Sequence, residues 1–433
     1  MRAVAIVLAA LVCASCGSGS SGTSPDPSMP SSSAAMPPVT ATSAPASASS
    51  SSSSPSTPAT PQNPSTPTTS TSSPPSRRIT YKIVEIPRLT AAGAMTANAV
   101  NDQGIIVGDY SPYCVPNCSA PGQSFTPAQA WMYQRSSGAL NQLIFDPSET
   151  GAGASGVSNS GIISGREFSP QNGIQPVIWT VTGGAMALSG PDCSCWAVAA
   201  NDGGTVIGQF QGPGAPGSAA IMWTPPVYAQ TILPGLECDY CPRVGISIYA
   251  INNGGTAVGS SLSSIVRNGQ PTTGGSFAVE WQAGAVSSLG ALQGSNTSAA
   301  YGINNSGDVV GGSGSGQGSG AAFHAFLYRG GTMTDLGALS GDTNSSADSI
   351  NDAGQIVGSS DDGNKKRAFV YEHGQMYDLN SLIDSTDPLA GLVSLQEAVS
   401  ISSNGLIAVN GIDSRDTGGN AGAQRAFLLV PSH

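Results

Sequence analysis

The chain has 433 residues, a formal net charge of −11 and only 9% charged residues, against roughly 25% in typical soluble domains. Its 56 glycines favour a fold with many tight turns. An acidic chain without a stripe of Lys and Arg is poorly suited to bind nucleic acid or anionic lipid, so we expect neither partner.

The first 16 residues have the pattern of an export signal. Arg2 supplies a positive charge, and the apolar run over residues 3–12 is shorter than the roughly 20 residues that span a membrane. Residues 13–16, CASC, resemble a bacterial lipobox in which Cys13 replaces the usual Leu. That resemblance implies cleavage before Cys16 and lipid attachment to it. An ordinary secretory signal is the alternative.

Residues 17–76 form a segment of low complexity. Of these 60 residues, 44 are Ser, Thr or Pro, and large apolar residues are almost absent. Such a composition cannot build a core, so we predict a disordered tether. The folded domain is predicted over residues 77–433.

A phrase of the form I/V-N-x-x-G-x-I/V-V-G recurs along this domain. Its last residues are separated by 57, 43, 51, 52, 47 and 51 positions. They are Gly108, Gly165, Gly208, Gly259, Gly311, Gly358 and, in a degenerate copy, Val409. A period near 50 residues is typical of propellers or solenoids.

Each repeat has the pattern of four short strands. Asn-x-x-Gly is turn chemistry, because Asn bonds to its own backbone and Gly adopts positive φ without steric cost. A strand precedes this turn, a second follows it, and phrases such as HAFLY and MTDLG supply two more. The sequence therefore predicts an all-β fold, a seven-bladed β-propeller. A β-solenoid is the alternative, although its coils are usually shorter.

The two ends of the domain complement each other. The seventh repeat stops after RAFLLV without a fourth strand, whereas residues 79–86 form an unpartnered strand at the start. We expect this N-terminal strand to complete the last blade, with Pro87 tolerated at its edge. Ala, Gly and Ser dominate the first strand of each repeat, which predicts that this strand lies innermost.

The repeated phrases resemble the bacterial HAF-repeat family of extracellular repeats. The resemblance is best at Gly302-Ile303-Asn304, His324-Ala325-Phe326, Asp335-Leu336-Gly337 and Arg367-Ala368-Phe369. It implies an extracytoplasmic repeat protein and carries no defined activity.

His324 is the most tempting catalytic residue, yet its position varies between repeats. The equivalents are Gln129, Gln175, Ala219, Phe277, Arg367 and Arg425. A position this varied is interpreted as a contact on or between blades. No His-x-His or His-Glu-x-x-His spacing supports a zinc site.

The acidic residues select no catalytic pair. Asp102, Asp202 and Asp352 lie inside the repeated turns, and no Asp matches a calcium loop of EF-hand type. Two loop carboxylates meeting across the ring would suit glycoside hydrolysis, but the sequence favours no particular pair. We therefore predict no catalytic, cofactor-binding or metal-binding residue.

Six cysteines remain after the signal segment, and an even number in an exported domain favours disulfides. They are Cys114, Cys118, Cys193, Cys195, Cys238 and Cys241. Local bonds between Cys114 and Cys118 and between Cys238 and Cys241 are favoured. The full connectivity stays open, and a thiolate metal cluster is the alternative.

The leading functional hypothesis is a surface-tethered binding or scaffold module for a glycan or a protein. An insert over residues 109–129 carries Tyr110, Tyr113 and Phe125, aromatic side chains suited to a contact surface. The alternatives are an extracellular enzyme acting on polysaccharide and a structural component of the cell envelope. Each places the protein outside the cytoplasm, lipid-anchored or secreted.

Overall fold

The computed structural model describes residues 79–90, 93–111, 128–144, 146, 150–169, 173–190, 194–211, 218–237, 245–267, 270–315, 322–417 and 421–432. These residues form 28 β-strands and one 3-10 helix, η1 (Leu379–Leu382). Among them, no helix has the length and apolar character needed to cross a membrane. The signal segment, the tether and Cys16 lie outside the described residues.

The strands form seven four-stranded antiparallel sheets, which we number as blades one to seven. Blade one contains β2 (Ala94–Val100), β3 (Ile105–Ser111), β4 (Gln129–Gln134) and β5 (Ala139–Gln142). Blade two contains β6 (Gly151–Val157), β7 (Ile162–Ser169), β8 (Gly173–Thr180) and β9 (Ala185–Ala187). Blade three contains β10 (Ser194–Ala200), β11 (Val206–Gln211), β12 (Ser218–Thr224) and β13 (Ala229–Leu233). Blade four contains β14 (Ile246–Ile251), β15 (Ala257–Arg267), β16 (Gln270–Gln282) and β17 (Ala285–Gly290).

The remaining blades follow the same order until the last one. Blade five contains β18 (Thr297–Ile303), β19 (Val309–Gly314), β20 (Phe323–Arg329) and β21 (Thr332–Gly337). Blade six contains β22 (Asn344–Ile350), β23 (Ile356–Asp361), β24 (Lys366–Glu372) and β25 (Gln375–Asp378). Blade seven contains β26 (Val393–Ile401), β27 (Ile407–Asp413), β28 (Gln424–Ser432) and the N-terminal β1 (Thr80–Glu85). The predicted seven-bladed propeller, closed by the N-terminal strand, is confirmed.

The first strand of each blade lies innermost, and neighbouring first strands contact each other around the ring. The hydrophobic core is divided into clusters that fill the spaces between blades. One cluster joins Val258 and Ala278 of blade four to Val309 and Phe326 of blade five. Because each blade buries its apolar face against the next, the ring depends on its closure.

Close backbone approach explains the Gly that ends the repeated phrase. A Cβ added at Gly259 would lie 1.9 Å from the carbonyl oxygen of Ser247, and one at Gly358 would lie 1.9 Å from that of Ser346. Real Cβ atoms do not approach a backbone oxygen so closely, so only Gly fits. In blade seven Val409 occupies this position, and the close approach moves to Gly411, whose added Cβ would lie 2.4 Å from Ser394 O.

Closure uses charge as well as strand pairing. β1 pairs with β28 from Thr80 opposite Ser432 to Glu85 opposite Phe427. Glu85 accepts hydrogen bonds from Arg425 at 2.6 Å and from Arg415 at 2.9 Å. Both arginines also bind Asp413, which is fully buried, at 3.0 and 2.5 Å. We call these four residues the clasp.

A second ion pair reinforces this end of β1. Arg88, three residues after the strand, is paired with Asp416 in the loop after β27. Chain segments more than 320 positions apart in sequence are thus joined by several charge-assisted bonds. Such bonds are stronger than neutral ones, and here they fix the first strand on the last blade.

The outer edge of β1 is covered by the segment between η1 and β26. The Ile83 N–H donates to Asp387 Oδ2 at 2.8 Å, and the Asp384 N–H donates to Tyr81 O at 2.8 Å. An uncovered edge strand invites pairing with other chains. This segment therefore protects the strand on which closure depends.

The clasp should make stability sensitive to acid. Burial alone would raise the pKa of Glu85, but the hydrogen bonds from Arg415 and Arg425 outweigh it and lower that pKa. The hydrogen bond from Arg415 likewise lowers the pKa of Asp413 against the effect of burial. A carboxylate with a lowered folded pKa stabilises the protein above its unfolded pKa of about 4, and this stabilisation is lost as pH falls further.

We therefore expect Glu85→Gln to lower the free energy of unfolding at neutral pH. The loss should be only about 1 kcal/mol, because the site is partly exposed to solvent. Its stability should also fall less steeply than that of the wild type between about pH 5 and pH 2. Urea unfolding across this range measures both effects, with the exposed Glu237→Gln as the control. Identical acid profiles for the wild type and Glu85→Gln would contradict the role of the clasp.

Candidate binding site at the ring axis

The Asn-x-x-Gly turns join the first and second strands of the blades, and they meet around the axis at one opening. They surround a cavity of about 160 Å³ to which all seven turns contribute three residues each. The aliphatic level consists of Val100, Val157, Ala200, Ile251, Ile303, Ile350 and Ile401. The amide belt consists of Asn101, Ser158, Asn201, Asn252, Asn304, Asn351 and Ser402. The rim consists of Asp102, Asn159, Asp202, Asn253, Asn305, Asp352 and Ser403.

Each Asn of the amide belt first closes its own turn. In blade four, Asn252 Oδ1 accepts the N–H of Thr256 at 3.0 Å, and Gly255 adopts a φ of +81°. The same bond recurs at Asn101, Asn201, Asn304 and Asn351. These residues are turn formers, as the sequence indicated.

The amide of the same side chain links its blade to the next one. Asn252 Nδ2 donates to the carbonyl oxygen of Asn304 at 3.1 Å. Equivalent bonds of 3.0 to 3.2 Å start from Asn101, Asn201, Asn304 and Asn351. Ser158 and Ser402 carry no amide, so the belt does not cross from blade two to three or from blade seven to one.

The rim crosses those two joints. Asp202 Oδ1 accepts the N–H of Asn159 at 2.7 Å, and Asp102 Oδ1 accepts the N–H of Ser403 at 2.7 Å. Rim bonds of the same kind cross four further joints, between blades one and two and from blade three through to blade six. Every joint of the ring is therefore crossed by at least one of these hydrogen bonds.

The rim gives this opening a negative character. It carries three carboxylates, three amides and one hydroxyl, and no basic side chain lies among the residues that line the cavity. An opening lined by one sign of charge focuses its potential and raises the local concentration of counter-ions.

Further along the axis, each innermost strand carries a β-bulge at the same level. A bulge leaves one extra residue outside the ladder and re-aims its side chain. The seven bulged residues, which we call the bulge ring, lie about 6–7 Å along the strands from the aliphatic level. They are Asn98, Ser155, Val198, Tyr249, Tyr301, Asp348 and Val399.

Part of the bulge ring is accessible. Five of its members are half-buried, whereas Asp348, at 4% exposed, and Val399 are buried. Since these residues lie on the innermost strands, we infer that solvent reaches their side chains along the axis of the ring. Tyr249 and Tyr301 stand edge to face on neighbouring strands, with ring centroids 5.1 Å apart.

Two polar members have defined partners. Asn98 Nδ2 donates to Ala154 O of the next blade at 2.7 Å, and the Asp348 carboxylate accepts from the Ser346 hydroxyl at 3.3 Å. The sequence reasoning did not find this ring. The available signal was a single variable residue, flanked almost everywhere by two small ones, six positions before the repeated Gly of each turn.

His324 belongs to a cross-strand pair rather than to a catalytic group. Its Nδ1 lies 2.9 Å from Asp335 Oδ2 on the next strand of blade five. The same two positions hold Arg367–Asp378 at 3.3 Å in blade six and Arg425–Glu85 at 2.6 Å in blade seven. Where the third strand of a blade carries a basic residue at this position, the fourth strand carries an acidic one. The repeated H/R-A-F and D-L-G phrases therefore reflect a contact within a blade.

Other acidic residues are engaged in local structure. Asp342 pairs with Arg367 at 2.7 Å. The backbone N–H groups of Lys365 and Asn364 donate to Asp362 and lower its pKa. Within the described ranges, no group of three or more His, Cys, Asp or Glu is placed to hold a metal ion.

Cys195 and Tyr110 lie in the core. Cys195 is 1% exposed and packs against Ile178 and Trp223, so the one described cysteine lies in the core between blades two and three. Tyr110 is 2% exposed and hydrogen-bonded to Thr90, so the structure places it in the core instead of on a contact surface. Tyr113, Phe125, Cys114, Cys118, Cys193, Cys238 and Cys241 lie outside the described residues.

One protein-family model matches the chain, over residues 249–410, and its description is "Protein of unknown function (DUF3466)". No HAF-repeat family is found, so that resemblance was wrong. The physical reason is that the H/R-A-F and D-L-G phrases arise from the blade contact described above. No curated protein matches the chain.

Several solved structures are similar to this chain at low sequence identity. The β-propeller domain of the Trilobed protease from Pyrococcus furiosus, described as having an open velcro topology, is 7% identical with a TM-score of 0.50, over 79% of this chain and 96% of that one. An acylaminoacyl peptidase from Pyrococcus horikoshii is 10% identical with a TM-score of 0.48, over 80% of this chain and 53% of that one. Virginiamycin B lyase from Staphylococcus aureus is 9% identical with a TM-score of 0.43, over 82% of this chain and all of that one. At these identities the likeness concerns the fold alone.

The amide belt leads to a stability prediction. Asn252→Asp keeps the side-chain shape but places a carboxylate oxygen against the carbonyl of Asn304, so a buried donor is lost and repulsion is gained. We expect a loss of about 2–3 kcal/mol at neutral pH. The exposed neighbour, Asn253→Ala, should cost less than about 1 kcal/mol. Chemical unfolding of both variants measures the difference, and equal losses would argue against a structural belt.

Proposed function

We propose that this protein is a non-catalytic binding module, a scaffold that recognises a glycan or a protein at the axis of its ring. Its rigid frame comes from the closed circle of inter-blade hydrogen bonds at the axis. A binding site held by such a frame loses little freedom when the ligand enters.

The observation that carries the proposal is the contrast between the bulge ring and its neighbours. The residues beside the bulges are Ala, Gly or Ser in all copies except at Ile248, and the turns repeat Asn and Gly. The bulged residue itself changes from blade to blade among amide, hydroxyl, aliphatic, aromatic and acidic side chains. Packing thus constrains the residues on either side of each bulge to be small. The variation of the bulged residue from blade to blade supports recognition of an asymmetric ligand.

The alternative is an enzyme acting on polysaccharide through loop carboxylates. It is less well supported, since several loop and strand acids are engaged in ion pairs, turn caps and rim bonds. A structural envelope role would need no accessible axial site, and the half-buried tyrosines favour binding over that role.

The export signal and the CASC sequence support placement outside the cytoplasm, with lipid on Cys16 and the Ser/Thr/Pro-rich segment as tether. In that oxidising compartment, Cys114 with Cys118 and Cys238 with Cys241 are the disulfides that we propose. Mapping of these peptides under non-reducing conditions tests the bonds, and free thiols at all four positions would exclude them.

The axial site is tested by blocking it. Ser155→Trp puts a bulky ring into the channel, and Ser136→Trp puts the same ring on the exposed hairpin of blade one. The full chain is screened on a glycan array and on peptides of varied charge, and polysaccharides are assayed for turnover. We expect saturable binding that Ser155→Trp reduces at least about 10-fold and Ser136→Trp leaves unchanged, both variants retaining the wild-type melting temperature within a few degrees. Turnover of a polysaccharide, or binding insensitive to Ser155→Trp, would contradict the proposal.

Lipid anchoring is tested separately. Cys16→Ser removes the thiol that would accept the lipid, so we expect the protein to move from the membrane fraction to the soluble fraction of its bacterial host. Ser15→Thr serves as the matched control and should stay with the membrane. A soluble wild-type protein would indicate an ordinary secretory signal.

A further inference from the structure

The side chains of the bulge ring indicate which class of ligand the axial site would bind. The proposal rests on the binding function proposed above. We propose that Tyr249, Tyr301 and Asp348 form a site for an organic cation, either a free ammonium compound or the ammonium or guanidinium group of a partner protein's side chain. These three residues occupy consecutive inner strands, β14, β18 and β22, at the same bulge position.

The two tyrosines supply the aromatic surface. Their rings stand at 76° to each other with centroids 5.1 Å apart, which is direct edge-to-face contact, so a cation would bind against a ring face that the other ring leaves open. Both side chains are half-buried on innermost strands. A cation within about 6 Å of a tyrosine face is attracted by the ring quadrupole, and more strongly once it is desolvated.

Asp348 supplies the opposite charge. It follows Tyr301 in the ring and is 4% exposed, so its carboxylate interacts across a medium with little water. Electrostatic attraction is several-fold stronger there than at the surface. Three more carboxylates, at Asp102, Asp202 and Asp352, lie on the rim of the same axis.

Positive side chains near the inner strands do not cancel this field, because they are paired. Arg166 lies 3.6 Å from Asp109, and Lys366 lies 2.8 Å from Glu397. The chain as a whole carries a net charge of −11. Long-range attraction therefore favours a positively charged ligand.

A glycan fits this site less well. Sugar hydroxyls need several convergent polar groups, but the Asn98 amide already donates to Ala154 O and the Asp348 carboxylate accepts from Ser346. A cation needs only the aromatic faces and the negative charge. Of the two partner classes, a ligand bearing a basic group is thus favoured.

The test compares probes of equal shape and different charge. Choline is titrated against its neutral isostere 3,3-dimethylbutanol, and the peptide acetyl-Gly-Lys-Gly-amide against the same peptide with norleucine. Binding to the full chain is measured by calorimetry at low salt. We expect each charged probe to bind at least about 10-fold more tightly than its neutral counterpart, and added salt to weaken it. Preference for choline would indicate a free cation, and preference for the peptide a partner protein.

Variants separate the site from its surroundings. Tyr249→Phe keeps the ring and should bind choline within about twofold of the wild type, whereas Tyr249→Leu should lose about 5- to 10-fold. Asp348→Asn should lose at least about 10-fold, with the exposed Asp362→Asn as the unchanged control. If Asp348→Asn unfolds, the Phe and Leu variants still decide the question.

The failure modes are distinct. Equal binding of charged and neutral isosteres overturns the cation site. The cation site is also overturned if a neutral oligosaccharide binds in a Tyr249-dependent way and no cation binds. That result would still agree with the proposed binding function at the axis. If Ser155→Trp affects no probe of either kind, the binding function itself fails.

Discussion

The structure depends on how seven innermost strands fit around one axis. There the backbones of neighbouring blades come close together, which favours Ala, Gly and Ser. A Cβ added at Gly156 would lie 3.0 Å from Val198 O of the next blade, and one at Gly302 would lie 3.1 Å from Ser349 Cα. The bulge in each of these strands is the response to that crowding, because one unpaired residue lets the strand bend and twist. Small flanks, the Gly that ends the phrase in six of the seven copies and the extra residue are therefore parts of one arrangement.

The same crowding explains why polar bonds rather than apolar contacts join the blades at the axis. Side chains of the amide belt are buried, and a buried amide without partners would cost about 1–3 kcal/mol. An Asn side chain uses both of its polar groups. Its Oδ1 accepts a hydrogen bond within its own turn, and its Nδ2 donates one to the next blade. Where Ser158 and Ser402 interrupt the belt, Asp202 and Asp102 on the rim provide the missing bonds. The ring thus remains continuous although its repeats have diverged.

Much of the architecture could be predicted from the sequence, because turns and strand periodicity are local signals. Seven copies of the turn phrase, five with Asn-x-x-Gly and two with Ser-x-x-Gly, and the unpaired strand at residues 79–86 led to seven blades closed at the N-terminus, as observed. The bulges escaped detection because one inserted residue resets a period of two without altering composition. Val409 looked like a degenerate Gly for a similar reason: β26 carries a second bulge at Gln396, which moves the close approach to Gly411. Pairs such as His324 with Asp335 join different strands, so only their three-dimensional register explains the phrases that suggested another family.

Repetition also separates structural from functional positions without any comparison between proteins. Seven copies of one motif in one chain experience nearly the same packing environment, so a side chain required by that environment should recur in most of them. Asn and Gly of the turns do recur, and so does the basic-acidic pair in blades five to seven. The bulge position, in contrast, holds five residue types in seven blades at one level of the axis. Because packing does not dictate that diversity, and because two aromatic rings and an acid fall on consecutive blades, the asymmetry of the ring supports the proposal that it binds an asymmetric ligand.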